Sequence, residues 1–219
     1  MYVRSRMTPN PITITRQTTV AEALELMREK SIRRLPVLEK DKLVGIVTER
    51  DLIEISPSPA TSLSVFEINY LLAKMKIGDV LPKKQKVITV EADALIEEAA
   101  LLMRQHKIGG LPVVEKGKLV GIITETNIFD AFIDLLGVKD AGFRLAIATA
   151  DKQGVLAEVA QIISNCGANI SRVAVFWEEP QKALLVIRLT ADDIDHITKT
   201  LTEHGYTIVS VLQNGSKEN

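Results

Sequence analysis

Two octapeptides of this chain, GIVTERDL from Gly45 and GIITETNI from Gly121, carry almost the same side-chain chemistry 76 residues apart. In the first, Thr48 and Asp51 stand three residues apart at what reads as a helix start, so a hydroxyl and a carboxylate share one face. A vicinal diol suits that pair, because two adjacent O–H donors can meet one carboxylate while free N–H groups at a helix start favour a nearby phosphate. The pair also serves without a ligand, Thr48 as an N-cap and Asp51 as a favourable first-turn charge. Gly45 and Gly121 have no Cβ, which lets backbone or ligand approach the strand closely.

The second copy keeps Thr124 but places Asn127 where the first has Asp51. A neutral amide there gives up a charge-assisted hydrogen bond, a class roughly twice as strong as the neutral kind. Upstream, IRRLPV becomes IGGLPV, so Arg33 and Arg34 have Gly109 and Gly110 as counterparts, with His106 and Lys107 as displaced substitutes. The two corners are therefore expected to be unequal, the first being the stronger binding site.

The elements that must position these corners repeat as well. Ile12 to Glu54 aligns with Ile88 to Asp130 at a constant offset of 76, with about half of the positions identical. Each copy reads as a short β segment (ITI, ITV), an amphipathic helix, two strands joined by a polar turn (Lys40-Asp41-Lys42, Lys116-Gly117-Lys118), and a second helix begun by Thr48 or Thr124. The helical stripes are Val20, Ala23, Leu24, Met27 and Ile96, Ala99, Ala100, Met103. Such a βαββα unit cannot bury its sheet and helices alone, so two copies are expected to pack as a pseudo-two-fold pair. Between them, SPSPATSLSVFEINYLLAKMK reads as a Ser/Pro loop followed by a connecting helix with Val65, Ile68, Leu71, Leu72 and Met75 on one stripe.

At 219 residues the chain is long enough for two compact units, and 46% apolar with 25% charged residues is ordinary globular composition. A formal charge of -1 and 4% aromatics, with Trp177 the single tryptophan, argue against a nucleic-acid partner. Cys166 is the one cysteine, which fits a reducing compartment and a small buried side chain. No apolar run approaches the roughly 18 residues of a membrane span, so a soluble cytoplasmic protein is expected.

The duplicated pattern, Leu-Pro-Val followed by Gly-apolar-apolar-Thr-x-x-Asp/Asn, resembles the CBS domain, named for cystathionine β-synthase, which occurs in tandem as a ligand-binding pair. The resemblance covers about the first 136 residues. It implies a regulatory adenosyl ligand (AMP, ADP, ATP or S-adenosylmethionine) rather than a required cofactor. In a first site it implies the ribose on Thr48 and Asp51, phosphates on Arg33 and Arg34, and the base between Ile12, Thr13, Pro36 and Val37. In a weaker second site it implies Ile88, Thr89, Pro112, Val113, Thr124 and Asn127.

Past LLGVKD the repeat stops and a new domain reads as βαββαβ, a ferredoxin-like order. DKQGVLAEVAQIISNCGANI resembles the ACT domain, an amino-acid-sensing module that binds across a dimer interface. The likeness implies Asp151, Gly154, Val155, Leu156, Asn169 and Ile170 as contacts; a module that only pairs chains is the alternative. The run Asp192, Asp193, Asp195 reads as a helix start rather than a metal site.

The expected organisation is thus α+β, with CBS units over residues 1–57 and 77–136, a loop and connecting helix over 58–76, an ACT domain over 141–213 and a tail over 214–219. The whole resembles AcuB-type regulatory proteins of acetoin utilisation, which implies a homodimer that senses an adenosine nucleotide, and an amino acid in the ACT domain, to control carbon metabolism through a partner that no motif names. The alternative is a structural oligomerisation protein with decayed sites. No catalytic residues are expected: His106, His196 and His204 form no H-x-x-x-H or H-E-x-x-H pattern, Cys166 has no base near it in sequence, and no Walker loop occurs.

Overall fold

The structure, a computed structural model, describes residues 1–55, 64–82, 86–179 and 182–215. Most of the expected Ser/Pro loop, the centre of the Glu178 to Lys182 turn, and the tail beyond Gly215 lie outside the described residues. The chain divides into two compact units, Met1–Phe129 and Asp130–Asn219. It is a mixed α+β fold. No described helix is long and apolar enough to cross a membrane.

In the first unit a 3-10 turn (Val3–Ser5) and β1 (Thr8–Pro9) precede one repeat built of β2 (Ile14–Thr15), α1 (Val20–Glu29), β3 (Arg34–Glu39), β4 (Lys42–Thr48) and α2 (Glu49–Glu54). The connecting helix α3 (Val65–Lys74) and the short α4 (Ile77–Val80) lead to the second repeat: β5 (Val90–Glu91), α5 (Ile96–His106), β6 (Gly110–Glu115), β7 (Lys118–Thr124) and α6 (Glu125–Leu135), which crosses into the second unit at Asp130. Local chemistry sets the boundaries. At α1 the Glu22 N–H donates to Thr19 Oγ1 at 3.2 Å while the Thr19 N–H donates to Glu22 Oε2 at 2.7 Å, a reciprocal cap that holds the Glu22 carboxyl below its ordinary range. Val20, Ala23 and Met27 then turn one buried stripe toward the sheet.

Both hairpins close over two residues with positive φ, Lys40 and Asp41 in one and Lys116 and Gly117 in the other. That is the backbone of a tight turn whose twist matches its strands. The β-bulges repeat too, between Val37 and Leu38 and between Val113 and Val114. The sheets are ordered β2-β3-β4 and β1-β7-β6-β5.

The fourth strand of the second sheet comes from the chain start, through an exchange of lead-in segments. The Val3 N–H donates to the Ala94 carbonyl and Arg4 N–H to Ala92, whereas Ile77 N–H donates to Thr18 and Gly78 N–H to Arg16, each at 2.9 Å. Each segment thus packs on the other repeat, and its apolar anchor, Val3 or Ile77, is fully buried there. Arg4 adds a surface clamp onto Asp93 (2.6 Å) and Glu115 (2.7 Å).

The second unit runs β8 (Gly142–Ala150), α7 (Val155–Asn165), β9 (Asn169–Glu179), β10 (Lys182–Thr190), α8 (Ile194–Glu203) and β11 (Thr207–Asn214). Its sheet is ordered β11-β8-β10-β9 with every neighbour antiparallel. Leu145, Ile147, Leu185 and Ile187 meet Val159, Ile163, Ile197 and Leu201 of the two helices in one core. Tyr206 closes that core, and burial, reinforced by the Glu158 carboxylate, pushes its hydroxyl up to about 12. Asp193 caps α8, accepting the His196 N–H at 2.9 Å, so the acidic run does mark a helix start.

Candidate functional site

The two corners are built alike. At the first, the Thr48 N–H donates to Asp51 Oδ2 at 2.8 Å and the Asp51 N–H to Thr48 Oγ1 at 3.2 Å. At the second, Asn127 Oδ1 accepts both the Thr124 N–H (2.9 Å) and the Thr124 hydroxyl (2.8 Å), and the Asn127 N–H reaches Thr124 Oγ1 at 3.4 Å. Aspartate and asparagine are therefore equivalent as helix caps here. They differ in what is left over, a second carboxylate oxygen that accepts in Asp51 against an NH2 group that donates in Asn127.

Each corner opens onto a cleft of its own. The first, about 540 Å³, sets Thr48 and Asp51 beside Ile88, Lys86, Lys107 and Gly109. The second, about 530 Å³, sets Thr124 and Asn127 beside Ile12, Asn10, Thr8 and Ser31. Both volumes lie in the range of about 300–1,000 Å³ typical of small-molecule sites. Arg33 and Arg34 line both clefts.

The fold thus regroups the residues expected from sequence. Ile12, grouped with Asp51 in the repeat alignment, lies in the cleft with Asn127, and Ile88 lies in the cleft with Asp51. Each β-leading segment faces the corner of the opposite repeat, which a comparison of repeats in isolation has no means to show. Val37 and Val113 are fully buried, held by the parallel pairings Ile14↔Val37 and Val90↔Val113, and Pro36 and Pro112 are buried beside them. None of these four, nor Thr13 and Thr89, lines either cleft. Sequence reasoning missed Lys86 and Arg50, which bring the cationic side chains of the first cleft to five with Arg33, Arg34 and Lys107, against Glu49 and Asp51.

Arg34 supplies a steric reason for the arginine-to-glycine change. A Cβ built on Gly109 would overlap Arg34 Nη2 and lie 2.8 Å from Glu125 Oε2. One on Gly110 would lie 3.1 Å from Arg34 Cδ and 3.2 Å from the Ile123 carbonyl. The half-buried Arg34 side chain runs over the backbone at which its own counterpart would start, so a side chain at Gly109 or Gly110 would have to displace it from its present course.

In the second unit the residues expected to contact an amino acid are not all brought together. Asp151 follows Ala150, which pairs with Lys182, whereas Asn169 pairs with Thr190. β8 and β9 run parallel on either side of β10, so Asp151 and Asn169 stand at opposite ends of the sheet, roughly 27 Å apart at strand rise. Asp151 accepts the Trp177 indole N–H at 3.0 Å, and Gly154 starts α7 at a φ of 91° with no side-chain cap. Leu156 is exposed, Val155 and Ile170 lean on the helix-side core.

The CBS domain profile matches residues 3–58 and 77–134, more than half of the chain and both corners. The chain belongs to the CBS domain family. It is 36% identical over 138 residues to a CBS domain-containing protein of Dictyostelium discoideum, a match spanning 62% of this chain and 94% of that protein. A crystal structure from Vibrio cholerae named for acetoin utilization (AcuB) superposes with a TM-score of 0.51 at 34% identity, covering 64% of this chain and 96% of that one. The match to the inosine-5'-monophosphate dehydrogenase of Korarchaeum cryptofilum, 36% identical over 140 residues, spans 26% of the enzyme, its CBS region and not the whole protein.

Proposed function

We propose that the CBS pair is a regulatory sensor of an adenosine nucleotide. One observation carries this reading: each cleft combines a Thr-x-x-Asp/Asn helix start, suited to a ribose, with the guanidinium groups of Arg33 and Arg34, suited to phosphate. The first cleft, with Asp51 and its three further cations, is the stronger site. Control follows from differential affinity: the ligand bridges residues of both repeats, so it favours whichever packing of the pair sets those residues at contact distance.

The ferredoxin-like second unit is read as an ACT module. Because one chain separates Asp151 from Asn169, an amino-acid site of the kind that family likeness implies needs a second copy, which ties ligand binding there to a homodimer. The acetoin-utilisation role, the regulated partner and a cytoplasmic setting belong to the same reading.

A second reading is favoured by the caps themselves, since Thr48, Asp51, Thr124 and Asn127 are all used in holding helix starts. On that reading the pair is a structural interaction module with decayed sites. Calorimetric titration of the full chain with AMP, ATP and S-adenosylmethionine, alongside thermal melts, separates the two. The sensor reading expects saturable heat and a rise in melting temperature with at least one ligand; silence with all three would sink it.

A further inference from the structure

The sheet of the second unit has one face covered by α7 and α8 and another that carries an unusual row. Arg188 on β10 stands directly opposite Arg144 on β8 and directly opposite Arg172 on β9. Three arginines therefore lie side by side across adjacent strands, about 5 Å apart at their backbones. Like charges in directly opposed positions destabilise a sheet, so such a row calls for compensation. Asp140 supplies part of it through a 3.5 Å pair with Arg172. Among the described residues the guanidinium groups of Arg144 and Arg188 have no ion-pair or hydrogen-bond partner, although both residues are half-buried.

The row is the floor of a cleft of about 540 Å³ whose walls are apolar, with Leu135, Val138 and Phe176 among them. One wall is fastened in place. Asn214 Nδ2 donates to the Val138 carbonyl at 3.2 Å, and Gly137, at a φ of 61°, brings the turn so close that a Cβ there would lie 3.0 Å from Arg172 Cγ. Forked guanidinium donors in a row match paired anionic oxygens, and the apolar walls raise the strength of that interaction by excluding water.

We infer that this face binds a small organic dianion, a dicarboxylate or a phosphate ester, with its anionic ends on Arg144, Arg188 and Arg172 and its carbon skeleton against Leu135, Val138 and Phe176. It is separate from the CBS clefts and gives the second unit a ligand that a free amino acid, with one carboxylate and one ammonium, does not match.

The test uses the full chain in an Arg33→Ala/Arg34→Ala background, which removes the guanidinium groups shared by the two CBS clefts. Melting temperature and heat are followed with succinate, citrate, inorganic phosphate and sulfate, each against sodium chloride at matched ionic strength. The expected result is a saturable stabilisation with at least one dianion, carboxylates and phosphate ranking which class is preferred. Arg144→Gln/Arg188→Gln should abolish the response while melting, without anion, no lower than its parent, since a like-charge contact is relieved. Arg188→Lys keeps the charge and loses the fork, so it should weaken binding about tenfold. The inference is overturned if no dianion differs from chloride, if the response survives in Arg144→Gln/Arg188→Gln, or if the substitutions change only the oligomeric state, which would make the face a contact between copies.

Discussion

Asn127 holds its helix start as well as Asp51 holds the first, which makes the two functions of this position separable. Exchanging one for the other should leave the reciprocal cap intact, since either side chain offers an oxygen to the N–H of the N-cap threonine. Asp51→Asn is therefore expected to change stability by no more than about 1 kcal/mol, the worth of its first-turn charge, while weakening AMP binding several-fold to tenfold through loss of a charge-assisted acceptor. Chemical denaturation and titration on the same sample check both halves; undiminished affinity would remove Asp51 from the site. Legibility at this scale followed locality. Thr48 and Asp51 were readable because their relation is set within one helical turn, whereas Lys86 and Lys107 reach Asp51 only through the packing of the opposite repeat. The repeat alone sets Arg33 and Arg34 at one corner, and nothing local shows that they line two clefts.

The helices and hairpins of both repeats were legible for the same reason: caps, turn residues and stripes are local signals, and duplication stated them twice. The exchange of lead-in segments was not. Its equivalences run from Met1-Tyr2-Val3 to Met75-Lys76-Ile77, an offset of 74 that breaks the 76-residue register, over too few residues to stand out. Yet that exchange completes both cores. Val3 and Ile77 are each fully buried against the repeat other than the one that comes next in sequence. Val3→Ala should accordingly destabilise the first unit by about 2 kcal/mol, a cost typical of a buried large-to-small change, and Ile77→Ala by somewhat more. Urea denaturation checks this, and an unchanged midpoint in Val3→Ala would show that the chain start is dispensable to the core.

At the scale of the molecule, the division into a repeated first part and a βαββαβ second part was legible, since a repeat that stops marks its own end. Relations between distant elements were not, as Asp151 and Asn169 show by lying at opposite ends of a sheet whose strand order no motif encodes. The same kind of relation bears on how many nucleotides the proposed sensor would take up. Arg33 and Arg34 line both clefts, and Gly109 and Gly110 leave no replacement for them on the other side. A phosphorylated ligand in the first cleft draws both guanidinium groups toward itself and adds negative charge beside the second. A second ligand then meets arginines already neutralised and an anion of like sign. Titration with AMP should therefore give close to one tight equivalent per chain, with any second event about tenfold weaker or more. Arg34→Ala should lower the first affinity and narrow the gap between the two events, because the shared group is what sets them in competition. Two equal, independent equivalents in the parent protein would contradict this coupling, even with the ribose corner of each cleft assigned correctly.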